Sequence, residues 1–214
     1  MTCERCGALL PADARFCPSC GLPVGVGVTT ERKVVTLLFA DLTGSTELST
    51  QLDPERFREV MAAFYREVTD ELESLRGRAE NFAGDAVLGV FGVPQAHDDD
   101  ALRAVRAAIS LRERLERLGK ELALPTTLRV RVGVNTGPVA LAGGAVEQVH
   151  LAGAQVNLAA RLQQAAEPGE VLVGETTWQL TRSDVEFGPR REVEAKGFDG
   201  AIPAWPVEIG RAHV

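Results

Sequence analysis

Lys33 to Asp41 reads KVVTLLFAD. Apart from Thr36, the run from Val34 to Ala40 is apolar, with β-branched residues at its start, and this predicts a buried strand. The strand ends at Asp41, and the chain turns through Leu42, Thr43, Gly44, Ser45 and Thr46. Pro54, tolerated in a first helical turn, opens a helix. Phe57, Val60, Met61, Phe64, Val68, Leu72 and Leu75 then recur every three or four residues, which makes one apolar face. Gly77 is expected to stop that helix. Residues 78–82 and 86–91 predict a hairpin around Gly84 and Asp85. Asp98, Asp99 and Asp100 suit the positive end of the next helix, which runs to about Leu122 with Leu102, Val105, Ile109, Leu115 and Leu118 inward.

Farther along, residues 127–135 (TLRVRVGVN) alternate as a strand, and Gly137 is expected to begin a turn into a second strand. Residues 156–165 read as a helix ended by Pro168 and Gly169. A short strand at 170–173, a short helix at 177–180 and strands near 185–193 and 204–208 complete the chain. The order β-α-β-β-α-β with additions predicts an α/β (α+β) fold. It is a ferredoxin-like core with a mostly antiparallel sheet and helices on one side.

The first twenty residues hold all four cysteines. Cys3 and Cys6 form one CxxC, ten residues intervene, and Cys17 and Cys20 form another. Gly7 and Gly21 follow the pairs and permit tight turns. Two matched knuckles with four thiolates predict one structural, tetrahedral Zn²⁺ with no open ligand position. So short a segment cannot build its own core, so metal binding would supply the folding energy. Only Arg5 and Arg15 are basic here, which argues against nucleic acid and leaves a protein partner as the expected docking target. The domains expected are a zinc ribbon at 1–23, a linker at 24–32, a main domain at 33–209 and a tail at 210–214.

Composition fits this division. The chain has 214 residues, 45% hydrophobic and 25% charged, with aromatics at 5%. Its net charge is −7 and its pI about 5.1. An acidic chain has no global attraction to nucleic acid or anionic membranes, although metal ions can neutralise a nucleotide's phosphates. No apolar run is long enough to span a bilayer, and the first residues lack a basic and apolar signal pattern, so a cytoplasmic location is expected.

Asp41 and Asp85 both occupy turns at strand ends, and a βαβ arrangement brings those ends together. Paired carboxylates bind two hard divalent cations about 3.5–4 Å apart, an arrangement suited to phosphoryl chemistry. Leu42 to Thr46 offer backbone amides that could cradle phosphate. Taken singly, a strand-terminal Asp is more often a cap or turn residue. Asn157 and Arg161 are four apart and share a helical face, where a solvated surface Arg is the ordinary reading. Lys196, before Gly197, is unremarked by itself, and His97 reads as structural.

Together the motifs are more specific. FADLTGSTELS, NFAGDAVLGVFG, HDDDALRAVRAA, VGVNTGPV, GAQVNLAARL and PGEVLVGETT, in this order, resemble the class III adenylate/guanylate cyclases over about residues 33–208. The preceding ribbon is similar to a recurrent bacterial arrangement of that family. The resemblance implies an enzyme that cyclises a purine nucleoside triphosphate, and ATP is the expected substrate. It implies that Asp41 and Asp85 hold two Mg²⁺ or Mn²⁺ ions per active site. It implies that Asn157 orients the ribose, that Arg161 stabilises the transition state and that Lys196 binds the terminal phosphates. It also implies a homodimer in which the aspartates come from one protomer and Asn157, Arg161 and Lys196 from the other.

The match is weakest at base selection. Adenylate cyclases usually have Lys, and guanylate cyclases Glu, where this chain has Asn81. His150 stands where Asp or Thr is common in adenylate cyclases, and Ala154 replaces the Asp of the usual GDxVN. Residues 143–150 form a short loop for this family. Asn81 and His150 can each donate and accept, so neither imposes strong discrimination and GTP stays open as a substrate. A guanylate cyclase and a non-catalytic nucleotide-binding module signalling through the ribbon are the alternatives. A cyclic-dinucleotide synthase is disfavoured, because this chain has no GGDEF-like turn.

Overall fold

The computed structural model describes residues 2–3, 6–11, 17–20, 30–81, 85–142, 150–194 and 200–208. The chain divides into two compact units, residues 1–32 with 140–152 and residues 33–139 with 153–214. Strand β1 spans Thr30–Thr43, followed by helices α1 (Ser45–Gln51) and α2 (Pro54–Ser74). Strands β2 (Arg78–Asn81) and β3 (Ala86–Phe91) precede helix α3 (Asp100–Glu121). Next come β4 (Arg129–Ala142), β5 (His150–Ala152), α4 (Ala154–Ala165), β6 (Val171–Gly174) and α5 (Glu175–Thr181), then β7 (Arg191–Glu194) and β8 (Ala201–Pro206). The strands lie in the order β2-β3-β1-β4-β6-β8-β7, and β5 pairs with β4 off this path. The β4–β6 ladder is parallel, while β1–β3, β2–β3, β4–β5, β6–β8 and β7–β8 are antiparallel. The mixed α/β class and the βαββαβ core stand as expected.

In the first unit, Cys3 N–H donates to Ala8 O at 2.8 Å and Gly7 N–H to Cys3 O at 2.9 Å. Gly7 takes the positive φ of 72° that this knuckle needs. Cys3, Leu10 and Cys17 form its small core.

In the second unit, every residue of β1 from Val35 to Ala40 is buried, as suits a central strand covered on both faces. Leu38, Ala40 and Leu42 join the main core with Val60, Phe64 and Leu72 of α2 and Val105, Leu111 and Leu115 of α3. Asp53 caps α2 by accepting from Arg56 N–H at 2.9 Å. The end of α2 differs from the sequence reading: Arg76, at φ 60°, takes the left-handed turn. Gly77 is needed for space, since a Cβ there would lie 2.6 Å from the Phe91 ring. The acidic run also does more than meet the α3 dipole. Buried Arg103 pairs with Asp100, donates to Asp99 at 2.9 Å and reaches Leu75 O at 2.8 Å, which ties the start of α3 to the end of α2. His97 N–H donates to Asp100 at 2.7 Å, a structural contact.

Three further expectations are corrected. Gly137 begins no turn: β4 runs unbroken from Arg129 to Ala142, and a Cβ on Gly137 would lie 2.7 Å from the Gln155 side chain. The helices are not all on one side. Val171 and Val173 of β6 join the core of α2 and α3, whereas Leu172 packs with Leu162 of α4 and Ala166 just beyond it. Alternate strand residues face opposite ways, so α4 covers the other face of the sheet. The late strand expected at 185–193 is confined to β7, with an isolated bridge between Phe187 and Val207.

Gly133 explains how closely α4 lies. A Cβ there would be 2.3 Å from Gln163 N and 2.4 Å from Ala159 O, both helix backbone atoms. Helix and strand meet with no side chain between them. Gly133→Ala is therefore expected to lower the unfolding free energy by roughly 1–3 kcal/mol. Urea denaturation of the two proteins measures it, and an unchanged midpoint would refute the contact.

Candidate active site

Strand register assembles the site. In the β1–β3 ladder Asp41 lies opposite Ala86, so Asp85, one residue earlier, reaches the same end of the sheet. Ala40 and Leu42 face the core, and alternation turns Asp41 to the α4 side. Both aspartates are half-buried. Between β1 and α1, Gly44 takes a φ of 76° and lets the chain double back. Ser45 is buried, and its hydroxyl donates to Asp85 Oδ2. On the other side, Gln163 of α4 donates through Nε2 to Asp41 Oδ2 at 3.1 Å.

Burial, and then the facing charge of Asp85, push the Asp41 carboxyl from its ordinary 3.8 up to about 6. The Gln163 hydrogen bond and the charge of Arg131 pull the other way. The influence of Asp85 extends to Tyr65, whose phenol is raised above 10.0 by burial first and by that carboxylate second. Two opposed carboxylates that a proton or a cation would relieve form a hard-oxygen donor set, and such a set fits Mg²⁺ or Mn²⁺. Beside them lies a cavity of about 390 Å³, lined by Ser45, Thr46 and Asp85 together with Phe57, Met61 and Tyr65. A second cavity of about 490 Å³ touches Thr43 and Gly44 and is bounded by Glu47 and Arg129.

Sequence reasoning missed two residues here. Arg131 precedes Val132 on β4, and with Val130 and Val132 in the core, alternation puts it on the Asp41 side. Its Nε is buried without a hydrogen-bond partner among the described residues. The RVRV alternation carried that signal. Gln163 sits among the apolar inward residues of α4, and a lone amide on such a face was its only trace. Ser45, read as part of a phosphate loop, also acts through its side chain.

Asn157 and Arg161 share a face of α4, as their spacing predicts. Asn157 is exposed, and Arg161 donates to Gln164 Oε1 at 2.7 Å. Among the described residues, Asp41 and Asp85 bond to Gln163 and Ser45, not to Asn157 or Arg161. Asn81 lies on β2 opposite Val87, and His150 on β5 opposite Ala142, while their side chains lie outside what is described. Lys196, residues 24–29 of the expected linker and the tail at 210–214 also lie outside the described residues. The α4 N-terminus, where Ala154 stands, has Gly153 as its cap and no side-chain capping bond.

In the N-terminal unit the sulfurs of Cys3, Cys6, Cys17 and Cys20 lie within 4.8 Å of one another. Cys3 faces Cys20 and Cys6 faces Cys17, each at 3.6 Å. Four thiols at that spacing fit a single tetrahedral zinc. No helix among the described residues is long and apolar enough to cross a membrane.

Comparison with known proteins agrees with this geometry. Residues 28–208 match the family model of the adenylate and guanylate cyclase catalytic domain, and residues 2–24 match a zinc-ribbon domain. The chain belongs to the adenylate/guanylate cyclase catalytic domain family, the class III nucleotidyl cyclases, with a zinc ribbon ahead of that domain. The crystal structure of the adenylyl cyclase CyaB from P. aeruginosa superposes with a TM-score of 0.80 at 28% identity, covering 86% of this chain and 98% of that one. That of the guanylyl cyclase Cya2 gives 0.78 at 29% identity, covering 86% and 96%. An uncharacterised protein of Rhizobium meliloti (strain 1021) is 34% identical over 178 residues, 82% of this chain and 17% of that protein. The chain spans 17% to 43% of the length of the first curated relatives it matches.

Two measurements check the site. Across pH 3.8 to 6 folded Asp41 keeps a proton that the unfolded chain has released, so its contribution to stability is present below 3.8 and lost as pH rises through about 6. In buffer free of Mg²⁺ and Mn²⁺, Asp41→Asn should melt close to wild type at pH 4 and above it at pH 7, by calorimetry. Equal melting temperatures at pH 7 would contradict the opposed-carboxylate geometry. Elemental analysis should find one zinc per chain, lost in Cys17→Ser.

Proposed function

We propose that the protein is an adenylate cyclase, which converts ATP to 3′,5′-cyclic AMP and pyrophosphate in second-messenger signalling. The observation that carries this reading is the pair of facing carboxylates, Asp41 and Asp85, at one sheet end beside the Gly44–Ser45 turn. Asp41 and Asp85 hold two divalent cations, Mg²⁺ or Mn²⁺. When bound, these ions lower the pKa of the ribose 3′-hydroxyl and offset phosphate charge. The hydroxyl oxygen forms a bond to the α-phosphorus, the bond to the bridging oxygen breaks, pyrophosphate leaves, and the hydroxyl proton passes to solvent.

The other side chains bind and orient. Leu42, Thr43, Gly44, Ser45 and Thr46 present the backbone turn to the phosphates, and Arg131 adds fixed positive charge on the same side. Lys196 holds the terminal phosphates. Asn157 fixes the ribose, and Arg161 stabilises charge developing on the phosphorus. The outward placement of Asn157 and Arg161 supports sites shared across a homodimer, with these residues serving the partner's aspartates. Asn81 and His150 are assigned to base selection and discriminate weakly between adenine and guanine, so GTP is a secondary substrate. The domain works in the cytoplasm, where ATP is supplied, and the zinc ribbon docks a protein partner.

Turnover of ATP and of GTP, each with Mn²⁺ and with Mg²⁺ and with products resolved by mass spectrometry, tests the reading. Cyclic AMP should dominate and fall at least about 100-fold in Asp85→Ala, in line with loss of a charge-stabilising group. A larger yield of cyclic GMP would make the enzyme a guanylate cyclase. Nucleotide binding without any cyclic product would leave a non-catalytic signalling module. Asp41→Ala and Arg161→Ala chains, each inactive, should recover activity when mixed, and no recovery after proven subunit exchange would exclude shared sites.

A further inference from the structure

We propose that Gln163 is a positioning residue for the metal-binding carboxylate of Asp41, which makes helix α4 part of the metal site of its own protomer. This rests on the reading of Asp41 as a metal ligand. Gln163 lies two residues beyond Arg161, and two residues turn an α-helix by about 200°. Arg161 therefore points outward while Gln163 points at the sheet, only 6% exposed, between Leu162 and the turn that carries Ala166. An amide in such a contact is unfavourable unless bonded. Its Nε2 bonds to Asp41 Oδ2 at 3.1 Å, across 122 positions of sequence.

The helix backbone is fixed where this bond originates. Gly133 of β4 lets Gln163 N approach so closely that a Cβ would sit 2.3 Å away. About two turns earlier, Asn135 Nδ2 donates to Gln155 O at 3.2 Å and to Gln155 Oε1 at 2.7 Å. Two anchors on β4 thus set α4, and Gln163 extends from it to the neighbouring strand β1. Ser45 plays the matching part for Asp85, so each aspartate has one oxygen held by a donor of this chain. A carboxylate with one oxygen fixed presents the other in a defined direction, and such supporting donors tune metal affinity. The outer face of α4 carries Asn157 and Arg161, so one rigid helix supports its own aspartate inward and offers the proposed nucleotide contacts outward.

The test is Mn²⁺ binding by electron paramagnetic resonance, on the full chain with zinc in the ribbon and no nucleotide. Gln163→Leu keeps the buried volume and removes the donor. It should melt like wild type yet bind Mn²⁺ roughly 10- to 100-fold more weakly. Leu162→Ala, which loosens the same helix without touching Asp41, should melt lower and bind Mn²⁺ like wild type below its transition. Unchanged Mn²⁺ affinity in Gln163→Leu overturns the proposal, as does an equal loss in Leu162→Ala, which would mean packing alone. Should wild type bind no tighter than Asp41→Ala, the metal reading of Asp41 fails as well, a result distinct from the other two.

Discussion

Asp41 and Asp85 are forced together by strand pairing, and their mutual repulsion is the constraint around which the domain is arranged. The register of β1 against β3 admits no escape: Asp41 faces Ala86, and Asp85 directly precedes that residue. Burial is the larger reason that the Asp41 carboxyl is raised, and the charge of Asp85 adds to it. The chain answers with donors and a cation, Ser45 on one carboxylate, Gln163 on the other and Arg131 nearby. These reduce the strain without removing it, because Asp41 still sits near 6. A site that keeps residual negative charge after its own donors are counted is prepared for external positive charge.

The two faces of the sheet divide the labour. Helices α2 and α3 bury the large core against Leu38, Ala40 and Leu42 and make the sheet end rigid. Helix α4 covers the opposite face by direct backbone approach at Gly133. A helix held by close contact has little freedom to slide, so the residues it presents on its two sides are fixed relative to each other. This is why Gln163, Asn157 and Arg161 belong to one mechanical unit although they face different ways.

Elements with strong local signals were legible in the sequence. The apolar run at 34–40, the period of α2 and the hairpin between β2 and β3 each depend on patterns a few residues long. The pairing of Asp41 with Asp85 followed from the same topology. What escaped was decided by neighbours distant in sequence. Gly77 looked like a helix stop, but its need comes from the Phe91 ring, and Gly137 looked like a turn, but it clears the Gln155 side chain. Gln163 gave no sign of the carboxylate it bonds, because 122 residues separate the two. Arg103 likewise carries no local sign of the Leu75 carbonyl it bonds, 28 positions away.

Base choice follows a different physical logic from phosphate chemistry in the proposed reaction. The phosphates and ribose are common to ATP and GTP, and the charged groups assigned to them act on both alike. Selection must come from groups that meet the base, and the residues proposed for that role, Asn81 and His150, are an amide and an imidazole. Each offers a donor and an acceptor, so each can turn to meet either purine edge. Strong rejection requires a site whose polar groups are left unpaired by the wrong ligand, and reversible groups avoid that penalty. A charged apparatus for the common part of the substrate, joined to neutral, adaptable groups for the variable part, is what the proposed cyclisation with shallow base preference would require.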